Sequence, residues 1–180
     1  DYIDAHISVF DNMYAKRLKT YKHIGFHLSS NGSLSKQTAN AIYDSGNYTD
    51  VFERDIVEAE KTIFVSCPEL TWDKVKRFLF LVKTRQEAGC KVTVITKNPQ
   101  NALYGSSEFI RELVKEMQQG DIFVILKDEV SEHFAVLDDE LVWHGGMNLL
   151  GKEDAWDNLM RIKSAQVAAE LLEIALKKEA

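Results

Sequence analysis

Cysteine and proline are both scarce in this chain, with 2 residues of each among 180. Two cysteines cannot build a disulfide framework, and Cys67 and Cys90 each adjoin apolar, strand-like runs. We therefore predict buried free thiols rather than a disulfide or a metal site, and a cytoplasmic location. No apolar run approaches the roughly 20 residues that a membrane-spanning helix needs, so no membrane contact is expected.

Positive charge is also in short supply, because 22 Lys and Arg residues face 28 acidic ones and leave a net charge of -6. Phosphate contacts require clustered Lys and Arg, so bulk nucleic-acid binding is disfavoured. The charge is uneven, however, since residues 1–38 carry a balance of +2 and the remainder of the chain carries -8. This predicts an N-terminal arm whose character differs from that of the body.

The sequence contains no Gly-rich phosphate-binding loop, which excludes a nucleotide-driven motor within these residues. It begins at Asp1 rather than at a methionine, so we expect it to be part of a longer parent protein.

The arm combines a helical pattern with a linker. Its apolar side chains recur every three or four residues, the period of an amphipathic helix: Ile3, Ile7, Phe10, Tyr14, Leu18 and Tyr21. Ser, Asn and Gly break this pattern near residues 28–38. We therefore divide the chain into a helical arm with its linker, 1–38, and a body, 39–180.

The body alternates between helical and strand patterns. Four segments have the spacing and the end signals of helices: residues 47–59, 71–89, 106–120 and 165–178. Three short β-branched runs predict strands: residues 62–67, 91–96 and 121–127. This alternation is typical of an α/β domain whose parallel strands are covered by helices on both faces. The runs 133–137 and 141–144 are too close for a helical crossover, so they form a hairpin and make the sheet mixed.

The stretch SEHFAVLDDELVWHGGMN, which begins at Ser131, is the part of the chain that comes closest to describing a reaction. Side chains alternate between the faces of a strand, so Ser131 and His133 are expected on one face. Gly145 and Gly146 then permit a backbone path that a β-carbon would block. Asn148 follows the glycines, and its amide can donate to an oxygen anion.

This stretch resembles the signature of the phospholipase D superfamily, His-x-Lys-(x)4-Asp-(x)6-Gly-Ser-x-Asn. It aligns without a gap, and three positions carry the signature residue: Asp138, Gly145 and Asn148. The order of elements over residues 40–176 is also similar to phospholipase D-like domains at the C-terminal end of some bacterial helicases. The resemblance implies a phospholipase D-like mixed sheet for the body.

Three departures from the signature decide what the resemblance implies for the chemistry. In the superfamily a His attacks phosphorus, whereas Ser131 stands at that position and would need a dedicated base. The signature Lys, a phosphate ligand, is replaced by His133, and Gly146 replaces the signature Ser. On one strand face His133 would lie about 6–7 Å from Ser131, too far for direct proton transfer. The resemblance therefore implies a dismantled site with no catalytic residue.

The residues that we predict to form a residual phosphate site follow from the alignment: Ser131, His133, Asp138, Gly145, Gly146 and Asn148, with His144 as an alternative imidazole. Plainer roles stay open for several of them. His133 could bond a backbone carbonyl, Asn148 could cap its own turn, and Asp138 with Asp139 could simply form the turn. No metal and no cofactor is predicted.

The preferred interpretation is a non-catalytic phospholipase D-like accessory domain of a larger nucleic-acid-processing protein, such as a helicase, which binds a phosphate backbone or mediates assembly. One alternative is a phosphodiesterase or nuclease with a rearranged histidine site, and another is a dimerisation scaffold without a ligand. Sites of this superfamily consist of two copies of the motif. Because only one copy is present, we predict a homodimer with its axis near the hairpin ends.

Overall fold

The computed structural model describes residues 27–28, 41–101, 107–152 and 157–177. The helix predicted within residues 3–21 lies outside these residues, as does most of the predicted linker. The described strands are β1 His27–Leu28, β2 Ala41–Asp44, β3 Thr62–Ser66, β4 Lys91–Lys97, β5 Phe123–Lys127, β6 Phe134–Leu137, β7 Leu141–Gly145 and β8 Asn158–Lys163. They form one sheet in the order β1-β2-β8-β7-β6-β3-β4-β5.

The helices of the body follow the predicted pattern. They are α1 Thr49–Glu58, α2 Trp72–Glu87, α3 Ser107–Gln119 and α4 Ala165–Leu176, with a short 3-10 turn at Pro99–Asn101 after β4. Each lies within one of the four segments predicted to be helical. Within the described part of the chain, no helix is both long and apolar enough to cross a membrane.

The sheet is mixed, as predicted. Strands β3, β4 and β5 run parallel, and β6, β7 and β8 continue the sheet from β3 by antiparallel pairing. Three strands toward the opposite edge were not predicted: β8, which pairs with β7, β2, which pairs with β8, and β1, which pairs with β2. His27 and Leu28, at the junction of the predicted arm and its linker, are thus part of the sheet.

Helices cover both faces of the sheet, but unequally. Helices α1, α2 and α3 pack on the larger core cluster, which also holds Ala135 and Leu137, and we call this side the three-helix face. Helix α4 packs on the other side, the α4 face, with Phe134 and Val136 of the same strand. The alternation predicted for β6 is confirmed, because neighbouring residues of an extended strand point in opposite directions.

Two ends of the sheet matter for the candidate site. The motif end is where β3 finishes at Ser66 and β7 finishes at Gly145. The far end is where β3 begins at Thr62 and where the hairpin between β6 and β7 turns at Asp138 and Asp139.

Candidate functional site

Strand β6 begins at Phe134, so Ser131 and His133 lie in the segment that leads into it. This corrects the expectation that both side chains stand on one strand face. Strand β3 ends at Ser66, which pairs with Phe134. The residues that precede Phe134 therefore have no partner strand on the β3 side. The Ser66 hydroxyl instead donates to the carbonyl oxygen of Glu132 at 2.9 Å, which anchors the segment.

His133 is attached to the glycine turn. Its Nδ1 atom lies 2.6 Å from the carbonyl oxygen of Gly146, and its own carbonyl oxygen accepts from the Gly145 N–H at 3.2 Å. Because a carbonyl oxygen can only accept, Nδ1 carries the hydrogen, and Nε2 is the ring nitrogen left for a ligand. The plainer role considered for His133, a bond to a backbone carbonyl, is therefore present, and it orients the ring.

The two glycines allow β8 to approach closely. A β-carbon at Gly145 would overlap the carbonyl oxygen of Asn158, and one at Gly146 would lie 2.6 Å from Oδ1 of Asp157. At Gly146 the obstacle is a side chain that can move, whereas at Gly145 the prediction that a β-carbon would block the backbone path is confirmed. The cause is the proximity of the neighbouring backbone rather than a positive φ angle, which among the described glycines occurs at Gly89.

Asn148 lies half-buried against the thiol of Cys67. The Sγ atom is 3.4 Å from Oδ1 of Asn148 and 2.9 Å from the carbonyl oxygen of Glu69. Since a thiol has a single hydrogen, the nearer Glu69 oxygen is its better acceptor. Burial raises the pKa of Cys67 to about 12, so the thiol stays protonated. Cys67 and Cys90 are free and buried, as predicted.

Ser131 is exposed, and its hydroxyl lies 3.3 Å from Oε1 of Glu132. It lines a cavity of about 350 Å³ between the segment before β6 and the last turn of α4. Lys127 and Lys177 bring positive charge to this cavity, and Glu129 and Glu132 bring as much negative charge. The charges that line the cavity therefore cancel, whereas a groove that binds nucleic acid is lined mainly by Lys and Arg.

A larger cavity, of about 920 Å³, lies away from the motif, and its lining includes Cys90, Lys91 and Phe123 at the beginnings of β4 and β5. None of the predicted site residues lines this cavity, so we do not assign it to the candidate site.

Asp138 lies at the far end, roughly 16 Å from His133 by strand rise. Its φ is 52°, and its carboxylate accepts from the backbone N–H groups of Glu60, Lys61 and Thr62 at 2.6–3.1 Å. Partial burial raises the pKa of the Asp138 carboxyl, but these donors outweigh it and hold the pKa below its ordinary value. Asp138 thus joins the hairpin to the start of β3, which is the turn-forming role considered above.

His144 lies on the α4 face of β7, directly opposite Phe134 and Met160. No hydrogen bond joins it to Ser131 or His133 within the described residues. The same part of the chain contains no group of three or more His, Cys, Asp or Glu side chains that could hold a metal ion.

Sequence reasoning missed a buried polar cluster beneath the hairpin. The carboxylate of Asp55 accepts from Nε1 of Trp143 at 2.9 Å and from Nε and Nη2 of Arg161 at 2.6 and 2.9 Å. Asp55 belongs to α1, whereas Trp143 and Arg161 belong to β7 and β8. The available signal in the sequence was the position of Asp55 on the apolar side of a predicted helix. A buried carboxylate there indicates that polar partners lie nearby.

Neither a protein-family model nor a curated protein matches this chain. Solved structures do, and one is Nuc, a phospholipase D family member from Salmonella typhimurium. The two share 13% identity with a TM-score of 0.58, over 75% of this chain and 88% of Nuc. The fold is phospholipase D-like.

Two further solved structures are similar to this chain. NucT from Helicobacter pylori is 15% identical with a TM-score of 0.56, over 75% of this chain and 91% of NucT. TrmBL2, an archaeal chromatin protein with a novel mode of DNA binding, is 11% identical with a TM-score of 0.55, over 96% of this chain and 61% of TrmBL2. At such low identity, the phospholipase D-like fold is what these likenesses establish.

Proposed function

We propose that this chain is a non-catalytic phospholipase D-like domain that binds backbone phosphate, as an accessory part of a larger nucleic-acid-processing protein such as a helicase. The bond between His133 and Gly146 carries the proposal, because it holds an imidazole at the motif end with Nε2 available. The similarity to the fold of TrmBL2, a DNA-binding chromatin protein, supports nucleic acid as the source of the phosphate.

The absence of catalysis is argued from Ser131, which occupies the position of the signature nucleophile. A serine hydroxyl attacks phosphorus only when a base removes its proton. Its hydroxyl donates to the exposed carboxylate of Glu132 at 3.3 Å, and an exposed carboxylate is a weak base. The Nδ1 hydrogen of His133 is directed at Gly146 rather than at Ser131. These residues can still bind a phosphate group, although they lack the means to cleave it.

Phosphate binding is argued from the protonation of His133. A neutral imidazole with its hydrogen on Nδ1 presents a lone pair at Nε2 and repels an anion. A protonated ring keeps the bond to Gly146 and offers a charged N–H at Nε2, which is the stronger kind of donor. A lower pH favours the protonated form of any imidazole. Because a single imidazole supplies the charge, we expect weak binding that strengthens as the pH falls.

The binding experiment measures the affinity for a labelled single-stranded oligonucleotide at pH 5.5 and pH 8 by fluorescence anisotropy. We expect tighter binding at pH 5.5 for the unmodified protein and for His144→Gln, the matched control on the other face. His133→Gln should lose this pH dependence. Equal affinity at both pH values, or the same behaviour in both variants, would contradict the proposal.

The absence of catalysis has its own test. The purified protein is incubated with bis-p-nitrophenyl phosphate and with DNA in the presence of EDTA, which excludes contaminating metal-dependent nucleases. We expect no turnover. Turnover that is lost in His133→Ala or His144→Ala would establish instead the alternative of a rearranged phosphodiesterase.

Assembly is a second candidate function, favoured by exposed apolar side chains at the motif end. Ile174 and Leu176, in the last turn of α4, are 54% and 50% exposed, and Ile174 lines the same cavity as Ser131. A two-fold contact between these surfaces would give the predicted homodimer with its axis near the hairpin ends. Light scattering at micromolar concentration distinguishes a monomer of 20.5 kDa from a dimer of twice that mass. A monomer at all concentrations would remove this candidate.

A further inference from the structure

Helix α2 differs in charge from the other described helices of the body. Its residues Trp72–Glu87 include five basic side chains and two acidic ones, a balance of +3 in a chain whose net charge is -6. Helices α1, α3 and α4 each carry a net negative charge. Among the described helices, positive charge therefore accumulates on α2 alone.

Phe80 lies at the centre of the solvent-exposed side of α2. Its side chain is 71% exposed, more than any other large apolar side chain in the described part of the chain. Three cations lie three or four residues from it along the helix, and such spacing makes them its neighbours on the helix surface: Lys76, Arg77 and Lys83. The two acids of the helix are each seven residues away. An exposed aromatic ring is thus surrounded by positive charge.

Cations contact both exposed rings of this helix. The guanidinium carbon of Arg77 lies 5.7 Å from the ring centroid of Phe80, and Nζ of Lys76 lies 4.6 Å from that of Trp72. Trp72 is 40% exposed, and its spacing of eight residues from Phe80 corresponds to about 12 Å of helix rise. We call Trp72, Lys76, Arg77, Phe80 and Lys83 the α2 surface.

The cations of the α2 surface keep donors for a ligand. Lys76 pairs with Glu116, and its side chain remains 41% exposed. Arg77 pairs with Glu53 through Nε and Nη2 and remains 52% exposed, and its Nη1 has no bond within the described residues. Lys83 is exposed and takes part in none of the ion pairs of those residues. An anion can therefore approach all three cations from solvent.

Single-stranded nucleic acid has the chemistry that this surface fits. Its phosphates bind exposed Lys and Arg, and its bases present flat faces that stack on aromatic rings. An acidic peptide supplies the negative charge without such faces. A membrane surface binds helices that have a broad apolar side, whereas α2 exposes two rings with a cation between them. In a duplex the bases are stacked on one another, so a ring on a protein surface does not reach their faces.

We propose that the α2 surface binds single-stranded nucleic acid, with bases stacked on its two rings and phosphates bound by its three cations. At about 12 Å the rings are too far apart to hold one base, so they contact different bases of a strand. The inference rests on the proposed function for the kind of ligand, and it adds a contact that does not use His133.

Fluorescence anisotropy at pH 8 with a labelled oligothymidylate tests the stacking on Phe80. We expect Phe80→Ala to weaken binding about tenfold, because the stacking of one base is lost, and Phe80→Trp to bind at least as tightly as the unmodified protein. Phe123→Ala is the matched control, since Phe123 is 67% exposed on β5 and its loss should leave the affinity unchanged. Equal affinities in Phe80→Ala and Phe123→Ala would overturn the proposal.

Salt dependence measures the phosphate contacts. Lys83→Ala should lower the slope of log Kd against log salt concentration by about one, because one phosphate contact is lost. Lys163→Ala is the matched control, because Lys163 is 56% exposed but lies on β8, and the slope should not change. The same slope in Lys83→Ala as in the unmodified protein would overturn the proposal.

The fluorescence of Trp72 reports stacking directly. The oligonucleotide should quench it, and Trp72→Phe should remove that quenching, whereas Trp143 is buried and should not respond. Quenching of the same size in Trp72→Phe would overturn the proposal.

The other ligands are outcomes of the same measurements. Polyglutamate that binds as tightly as the oligonucleotide would assign the α2 surface to acidic peptides, and binding to phosphatidylserine vesicles that is lost in Phe80→Ala would assign it to a membrane. Either result would overturn the proposal, as would tighter binding of duplex DNA. Phe80→Ala should leave the pH dependence attributed to His133 intact, so either proposal can fail without the other.

Discussion

Arg161 and Asp55 stand 106 residues apart in the sequence and meet through two hydrogen bonds of 2.6 and 2.9 Å. Burial lowers the pKa of the Arg161 guanidinium, but its bonds to Asp55 outweigh burial and raise the pKa, so the guanidinium stays charged. Nε1 of Trp143 donates to the same carboxylate. The pair thus joins α1 to β8 underneath the hairpin of the candidate site.

Replacement of Arg161 by an uncharged residue should destabilise the folded protein. Arg161→Leu leaves the carboxylate of Asp55 buried without its charged partner, and we expect a loss of about 3–5 kcal/mol in the free energy of unfolding. Arg77→Leu is the matched control, since Arg77 forms a similarly short pair with Glu53 but is itself exposed, so its loss should destabilise the protein far less. Urea denaturation measures both. A similar small loss in the two variants would show that the buried pair contributes little.

The two glycines of the motif should differ in their tolerance of a β-carbon. In Gly145→Ala the new carbon meets the backbone of Asn158, which cannot move without separating β7 from β8. We expect a loss of more than about 2 kcal/mol in the free energy of unfolding. In Gly146→Ala the carbon meets the side chain of Asp157, which can rotate away, so the loss should stay below about 1 kcal/mol. Thermal denaturation of both variants measures these losses. A larger loss in Gly146→Ala than in Gly145→Ala would refute this explanation.

Asp138 should make stability depend on pH below neutrality. Its folded-state pKa lies below the unfolded value, which is about 3.9 for an ordinary Asp. The stabilisation is therefore complete above that value and is lost as the pH falls through the folded pKa. Asp138→Asn keeps a residue that tolerates the positive φ, and should lower the free energy of unfolding by about 1–2 kcal/mol at pH 6.

The difference between the unmodified protein and Asp138→Asn should shrink below about pH 4, where the carboxylate gains its proton. Asp139→Asn is the control, because Asp139 also has a positive φ but its exposed carboxylate accepts from a side-chain hydroxyl, that of Thr62 at 3.1 Å, rather than from backbone N–H groups. Its effect should stay below about 0.5 kcal/mol. A difference for Asp138→Asn that persists unchanged to pH 2.5 would exclude the carboxylate as the cause.

Cys67 should be chemically inert in the folded protein. With a pKa of about 12, about one thiol in ten thousand is ionised at pH 8, and the side chain is also fully buried. Iodoacetamide at pH 8 should label Cys67 only after denaturant is added, as followed by mass spectrometry. Rapid labelling without denaturant would mean that the segment from Cys67 to Leu70 opens in the native state.

Local patterns in the sequence were enough for the main elements. The periodicity of 3.6 residues located the four helices of the body, and β-branched runs located β3, β4 and β5. The short spacing of the runs at 133–137 and 141–144 required the hairpin, and the glycines after it required a backbone in close contact. These features depend on neighbours along the chain, so the order of residues determines them.

Tertiary structure alone decided how distant segments meet. Strand β6 begins at Phe134 rather than at His133 because β3, almost 70 residues earlier, supplies no further partner. Strand β2 forms because β8 offers it an edge, and β1 then pairs with β2. The pairing of Asp55 with Arg161 and the contact of Cys67 with Asn148 arise in the same way. The sequence by itself determined the four helices of the body, strands β3 to β7 and the signature-like order of the motif. Packing decided the geometry of the motif. The bond that orients His133 depends on the path of the backbone at Gly146, and the approach of β8 constrains that path.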